Sequence, residues 1–238
     1  MPDSFGEDIT FTTDHFSTIC YDAPTVIIQQ VIKGLSDLTD VEIDEIFKGG
    51  IACNWWRRLR SLPQKQVPDR LTDRNLEWHR NSFKKPDPLQ GNAPFCDNTP
   101  FISTSAGTVE RDVMNRTNTL TAAWKTALYF ATDRWTKDGW LVYCHLFLIG
   151  KRAILLEAFS EELRELNIYT GFSPFYVEGE ITAKIVIPTA QIERADSWSL
   201  SDAQTAIASG NLPAASRVKK NPNFVKPDDY NNLRSLLV

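Results

Sequence analysis

The sequence predicts an α+β fold, because strand-like and helix-like stretches both occur and do not alternate as strict βαβ units. Three stretches carry this. The β-branched run "TVIIQQVI" (25–32) reads as a first strand. Residues 118–135, "NTLTAAWKTALYFATDRW", set Leu120, Ala123, Trp124, Ala127, Leu128, Ala131 and Trp135 at the i, i+3, i+4, i+7 spacing of a helix with one buried face. "WLVYCHLFLI" (140–149) is almost continuously apolar, the pattern of a central strand buried on both faces.

The other elements follow in chain order. Residues 1–24 are polar and irregular and read as an N-terminal extension. In "SDLTDVEIDEIFKGG", Val41, Ile43, Ile46 and Phe47 fit a short helix that Gly49-Gly50 ends in a left-handed cap. "IACNWWRRLRSL" (51–62) fits either a strand or a helix. Residues 63–100 carry Pro63, Pro68, Pro86, Pro88, Pro94 and Pro100, and only "RLTDRNLEWHR" looks regular there. A connection that long is usually functional or mobile. "PFISTS" is a short strand, and Asp138-Gly139 a turn before the central strand. "AILLEAF" fits a strand or a helix start, and "SEELRELN" a helix capped by Ser160. The aromatic loop "IYTGFSPFYVEGE" leads into the strand "ITAKIVIP", and "SLSDAQTAIASG" is a capped helix. A main domain over 25–195 is expected, with a helical and polar extension over 196–238.

Composition narrows the function classes. The chain has 238 residues, 42% hydrophobic and 24% charged, ordinary for a folded domain. A net charge of −4 gives no global field for nucleic acid or an acidic membrane, although local groups can still hold an anion. No apolar run approaches the roughly 20 residues that span a bilayer. "MPDSFGEDITF" has neither a positive n-region nor an apolar h-region, so no signal peptide is expected. The four cysteines (Cys20, Cys53, Cys96, Cys144) and three histidines are scattered without metal-ligand spacing. Free thiols, a reducing cytoplasmic setting and no metal are therefore expected; two disulfides fit only a protein that leaves the cell by an unusual route.

Chemistry concentrates in "YVEGEITAKIVIP" (176–188). Glu178 and Glu180 share one strand face, about 6.5–7 Å apart along it. Like charges that close are either a solvated edge or a pair aimed at something that needs acid. A glycosidase pair is a poor fit, since its carboxyls flank the scissile bond from separate elements. Upstream stand "LEWHR", with His79 following Leu76, and "FISTS", with Ser103-Thr104-Ser105.

Taken in order, these motifs resemble the ADP-ribosyltransferase superfamily, in its cholera-, heat-labile-enterotoxin- and pertussis-toxin-like branch. That pattern has a first-strand arginine, a serine-threonine-serine strand, and an E/Q-x-E motif whose second glutamate precedes an Ile-Pro by seven residues; here Glu180 precedes Ile187-Pro188. Gly49-Gly50 and the Leu-x-x-His of Leu76 and His79 also have counterparts. The resemblance spans roughly 25–195. It implies a split pair of small antiparallel sheets with NAD, as substrate, in the cleft between them, and transfer of ADP-ribose to a protein side chain such as arginine.

The resemblance assigns roles residue by residue. Glu180 stabilises the oxocarbenium-like ribosyl centre and Glu178 handles the acceptor. Ser103 holds Glu180, and His79 meets the adenosine side or the ribose. Thr104, Ser105 and Tyr176 complete the NAD site, Tyr176 with Tyr169, Phe172 and Phe175 as stacking candidates. One position departs: the first strand carries no arginine, and Gln30 falls in its place, with Gln29 one residue off. Arg57 or Arg58 of "WWRRLR" can replace that arginine at the pyrophosphate; otherwise this stretch is core tryptophans with arginines reaching solvent, or a nucleic-acid contact. Two alternatives stay open, an NAD glycohydrolase of the same fold and an inactive interaction module that lost the arginine. Taken alone, His79 is a surface or half-buried histidine, His145 a hydrogen-bonded core or edge residue, and "RVKK" (217–220) a solvated charge run.

Overall fold

The computed structural model describes residues 25–58, 70–87, 91, 93–106, 120–150, 180–210 and 215–226. The first strand, β1 (Thr25–Ser36), runs four residues past its expected end. It pairs antiparallel with β4 (Gly139–Gly150) along its whole length, from Thr25↔Gly150 to Ser36↔Gly139. With β3 (Phe101–Ala106), β5 (Glu180–Lys184), β7 (Ile192–Trp198) and β8 (Arg217–Lys220) these strands form one sheet in the order β5-β3-β1-β4-β7-β8. A second sheet pairs β2 (Ile51–Ala52) with β6 (Val186–Ile187). The expected α+β architecture with two antiparallel sheets is present, the sheets unequal at six strands and two.

Each face of the large sheet has its own core. One face sets Val31, Ile102, Val142 and Cys144 against Ile43 and Phe47 of α1 (Asp40–Gly49) and Trp55 and Trp56 of α2 (Asn54–Arg58). Helix α1 starts with a capping box: the Thr39 hydroxyl accepts from the Glu42 N–H while the Glu42 carboxylate accepts from the Thr39 N–H. It ends at Gly50, whose φ is 79° but whose ψ is −177°, outside the left-handed helical cap expected. The ambiguous 51–62 stretch takes both forms, a two-residue strand and then a helical turn that buries both tryptophans.

The opposite face sets Ile32, Leu141 and Tyr143 against α4 (Leu120–Ala131), the helix predicted from its periodicity, and against Ala203 and Ala206 of α5 (Leu200–Ser209). Helix α4 lies close on the sheet because two glycines leave room. A Cβ on Gly34 would sit 2.1 Å from the Ala127 carbonyl oxygen, and one on Gly139 1.8 Å from that of Ala131. Helix α5 is capped as read from sequence, by Ser199 at its start and left-handed Gly210 at its end.

The glutamate strand is broken in two. Ile185 has a φ of 57°, a strained value for a β-branched residue. Its N–H donates to the Pro100 carbonyl at 2.9 Å and its carbonyl accepts from the Cys53 N–H at 2.7 Å. Held at both ends, the chain leaves the large sheet and pairs Ile187 with Ile51 in the small one.

"RVKK" is largely exposed, as a solvated charge run should be, and it also has a place in the fold. It is an edge strand paired with β7, and Arg217 and Lys219 form ion pairs with Asp40 and Asp44 of α1. Residues past 195 thus complete β7, add β8 to the same sheet and supply α5, which packs on one face of it. Cys53, Cys96 and Cys144 are free thiols. Among the described residues no helix is long and apolar enough to cross a membrane. "AILLEAF", "SEELRELN" and the aromatic loop lie outside the described residues.

Candidate functional site

The site lies where β1 and β3 part. Among the described residues the two strands pair at Val31↔Ala106 and Ile32↔Ser105. From there β1 continues along β4 while β3 keeps its ladder with β5, Phe101↔Lys184 to Ser105↔Glu180. A cleft of about 1080 Å³ opens at this fork. It wraps the β1 edge from both sides, so Ile32 and Gly34 reach it from one face and Lys33 and Leu35 from the other. Helix α4 closes one side with Thr126, Tyr129 and Phe130; α1 and β2 close the other.

Segments far apart in sequence meet here. Ser105 is the shared rung, paired with Ile32 on one side and Glu180 on the other. Directly paired residues share a sheet face, as do residues two apart, so Ser103, Ser105, Glu180 and Thr182 lie on one face. Ser103, Thr104 and Ser105 all line the cleft, and Thr104 and Ser105 are buried. Glu180 is the first described residue of β5. Its side chain, and Glu178 and Tyr176 as a whole, lie outside what is described.

His79 stands on α3 (Asp73–Asn81), which Thr72 caps by accepting from the Asn75 N–H. The histidine is buried, against the surface or half-buried position its isolated context suggested, and it lines the cleft. Both ring nitrogens are engaged: Nδ1 lies 2.8 Å from the Thr99 hydroxyl and Nε2 2.8 Å from the Ser103 hydroxyl. Phe83 meets the ring edge-on at 5.3 Å and Phe101 at a tilt at 5.7 Å. Below it, the buried Arg70 donates to the Asn98 carbonyl, pairs with the buried Asp87 at 3.5 Å and lies over the Trp55 ring. That network ties the proline-rich connection to α2 and fixes the base of α3.

Gln30 is not among the cleft-lining residues. Its amide reaches the other way, across β4, to Glu193 on β7 at 3.5 Å. The first-strand cation at the cleft is Lys33, which the sequence reading passed over. Arg57 also lines the cleft, as one reading of "WWRRLR" expected, whereas Arg58 turns to Asp97 at 2.8 Å. Lys84, Lys85 and Arg134 join the lining and make no ion pair among the described residues. Among the described residues two acids line it, and both are engaged: Glu42 accepts from Thr39, which holds its carboxyl below the ordinary range, and Glu45 pairs with Lys48 at 2.8 Å. The described lining of the cleft therefore carries more positive than negative groups, in a chain of net charge −4.

His145 lies away from the cleft. It is buried and stacked on Phe224 at 5.4 Å, and among the described residues its Nδ1 has no hydrogen-bond partner, unlike the hydrogen-bonded core or edge residue expected. Burial pushes its pKa down.

No family model and no curated protein matches the chain. Solved structures do. A guanine-specific ADP-ribosyltransferase is similar at 13% identity and a TM-score of 0.40, over 85% of this chain and 83% of that one. A protein described as EcPltA is similar at 14% identity and 0.40, over 83% and 88%. A variant of the Scabin toxin from Streptomyces scabies is similar at 9% and 0.39, over 85% and 81%. Likeness at these identities and scores says nothing about the chemistry of the cleft, which rests on its own residues.

Proposed function

We propose that the cleft binds NAD and that the protein transfers ADP-ribose from it to a side chain of a protein target. The observation that carries this reading is the Ser105↔Glu180 rung beside β1, at the mouth of a cleft with surplus cations. The serine strand and the glutamate strand, separated by some 70 residues of sequence, are neighbours in one ladder, which supports this reading.

Breaking the nicotinamide–ribose bond builds positive charge on the ribose anomeric carbon, as in glycoside cleavage. The Glu180 carboxylate stabilises that charge and accepts the ribose 2′-hydroxyl. Ser103 holds the carboxylate, backed by His79. Thr104 and Ser105 line the ribose end. Lys33, with Arg57, takes the part of the family's first-strand arginine at the pyrophosphate, so Gln30 need not supply it. Glu178 orients the acceptor and removes its proton, a role that suits an arginine; a neighbouring carboxylate raises the affinity of one of the pair for that proton. Tyr176 stacks on nicotinamide. Two cleft cations in place of one missing arginine favour a working enzyme over an inactive module.

The test is incubation with adenylate-labelled NAD and a cell lysate, with Glu180→Gln alongside. Label on protein that depends on Glu180 supports transfer. Nicotinamide release without labelled protein replaces transfer by hydrolysis.

A further inference from the structure

The hydrogen-bond chain behind Ser103 has only one arrangement that satisfies every group in it. It runs from the Phe101 N–H to the Thr99 hydroxyl oxygen (3.2 Å), from that hydroxyl to His79 Nδ1 (2.8 Å), and from Nε2 to the Ser103 hydroxyl (2.8 Å). Thr99, Phe101 and His79 are all buried, with 2%, 2% and 4% of their surface exposed, so water is no substitute partner. The Thr99 backbone is fixed as well, its carbonyl accepting from the Trp55 N–H at 3.1 Å.

A neutral imidazole donates from one nitrogen and accepts at the other. Suppose the proton sat on Nδ1. The Thr99 oxygen would then accept twice, from Phe101 and from His79. Its own hydrogen would have no acceptor, because among the described residues Nδ1 is the only acceptor that hydroxyl meets. A charged ring, donating from both nitrogens, strands the same hydrogen. With the proton on Nε2, the Thr99 hydroxyl donates to Nδ1, the Nε2–H donates to Ser103, and nothing is stranded.

We propose that Thr99 is a positioning residue: its hydroxyl holds His79 as the Nε2–H tautomer, which leaves the Ser103 hydroxyl hydrogen to be donated into the cleft on the Glu180 face. The direction matters because an ionised carboxylate only accepts. A Ser103 that spent its hydrogen on Nε2 would turn a lone pair toward Glu180 and repel it. Thr99 thus sets the sense of the whole chain from about two residues behind the serine strand, without touching a substrate. The inference rests on the NAD reading for its consequence, but not for the tautomer itself.

Long-range ¹H–¹⁵N spectra of histidine-labelled, NAD-free protein read the tautomer directly, with His79→Gln identifying its signals. The expected result is protonated Nε2 and bare Nδ1. Protonated Nδ1, or a ring protonated on both nitrogens at neutral pH, overturns the proposal whether or not the protein turns over NAD. Thr99→Val should abolish the tautomer preference, and it should lower kcat for nicotinamide release about tenfold or more while KM for NAD stays within about twofold, the scale seen when an orienting partner is lost. Thr99→Ser should restore both. A valine variant that keeps the Nε2–H tautomer and full kcat contradicts the proposal. If that variant does not fold, the wild-type spectrum and the serine variant still decide. Absence of nicotinamide release from wild type, with the Nε2–H tautomer present, sinks the NAD reading and leaves the tautomer assignment standing.

Discussion

The two ends of the large sheet treat charge in opposite ways. At the β7–β8 end the charged groups pair off with one another. Arg194 bonds Glu193 at 2.8 Å and Asp196 at 3.2 Å and lies 3.8 Å over the Tyr143 ring. Arg217 and Lys219 tie the edge strand to α1. At the fork of β1 and β3 the acids are engaged locally, and Lys84, Lys85 and Arg134 are left without ion pairs among the described residues. One end is closed on itself and holds the fold; the other keeps donors and positive charge for an anion to complete. Substitutions at the first end should cost stability and spare ligand binding, and those at the second should do the reverse.

The largest effect on stability should come from Trp198→Ala. Trp198 is 1% exposed and packs edge-on against Trp124 at 5.5 Å. Chemical denaturation should show a loss of about 3–5 kcal/mol, the usual range for emptying a buried tryptophan site. Should NAD affinity fall in the folded variant as well, the two ends are not independent.

Tyr143 gives a smaller effect that depends on pH. Burial and the neighbouring Asp196 push its pKa up from 10.0 to about 12. Since the folded pKa is the higher, the phenol's contribution is full below pH 10 and is lost as pH rises from 10 to about 12, where the unfolded chain ionises first. Stability measured across that window should drop by about 2–3 kcal/mol more in wild type than in Tyr143→Phe. Parallel curves for the two proteins would mean that the phenol is as easily ionised folded as unfolded.

At the cleft end, Lys33→Ala should weaken NAD binding by about 1.5–3 kcal/mol, the value of a hydrogen bond to a charged group, with little change in melting temperature. Gln30→Ala should leave calorimetric affinity nearly unchanged. The reverse ranking would return the first-strand role to Gln30.

Much of this was legible in the sequence, and the exceptions have physical causes. Helix α4, the central strand β4 and the capped α5 carry strong periodicity or caps, and they formed where expected. Ser103, Thr104, Ser105 and Glu180 sit on neighbouring strands because a motif fixes residue type and order, which the ladder then converts into adjacency. The resemblance points to Gln30 by its place along the first strand, with no information on which first-strand side chain reaches the cleft. Which of several first-strand residues reaches the cleft depends on where β3 leaves β1, a tertiary fact that selects Lys33. "RVKK" is exposed as its charge suggests, but its pairing with α1 lies far away in sequence and left no local signal. Thr99 gave no signal, being one hydroxyl in a loop whose role exists only through His79.

The proposed chemistry turns on Glu180, beside Ser105 at this fork, as the group that promotes NAD cleavage. The direct measurement is free nicotinamide released by the pure protein, wild type against Glu180→Gln. Steady release is expected from wild type, with a fall of about a hundredfold to ten-thousandfold in the variant, the range for losing one positioned catalytic group. Equal rates in the two proteins, or no release and no NAD binding by the wild type, would contradict it.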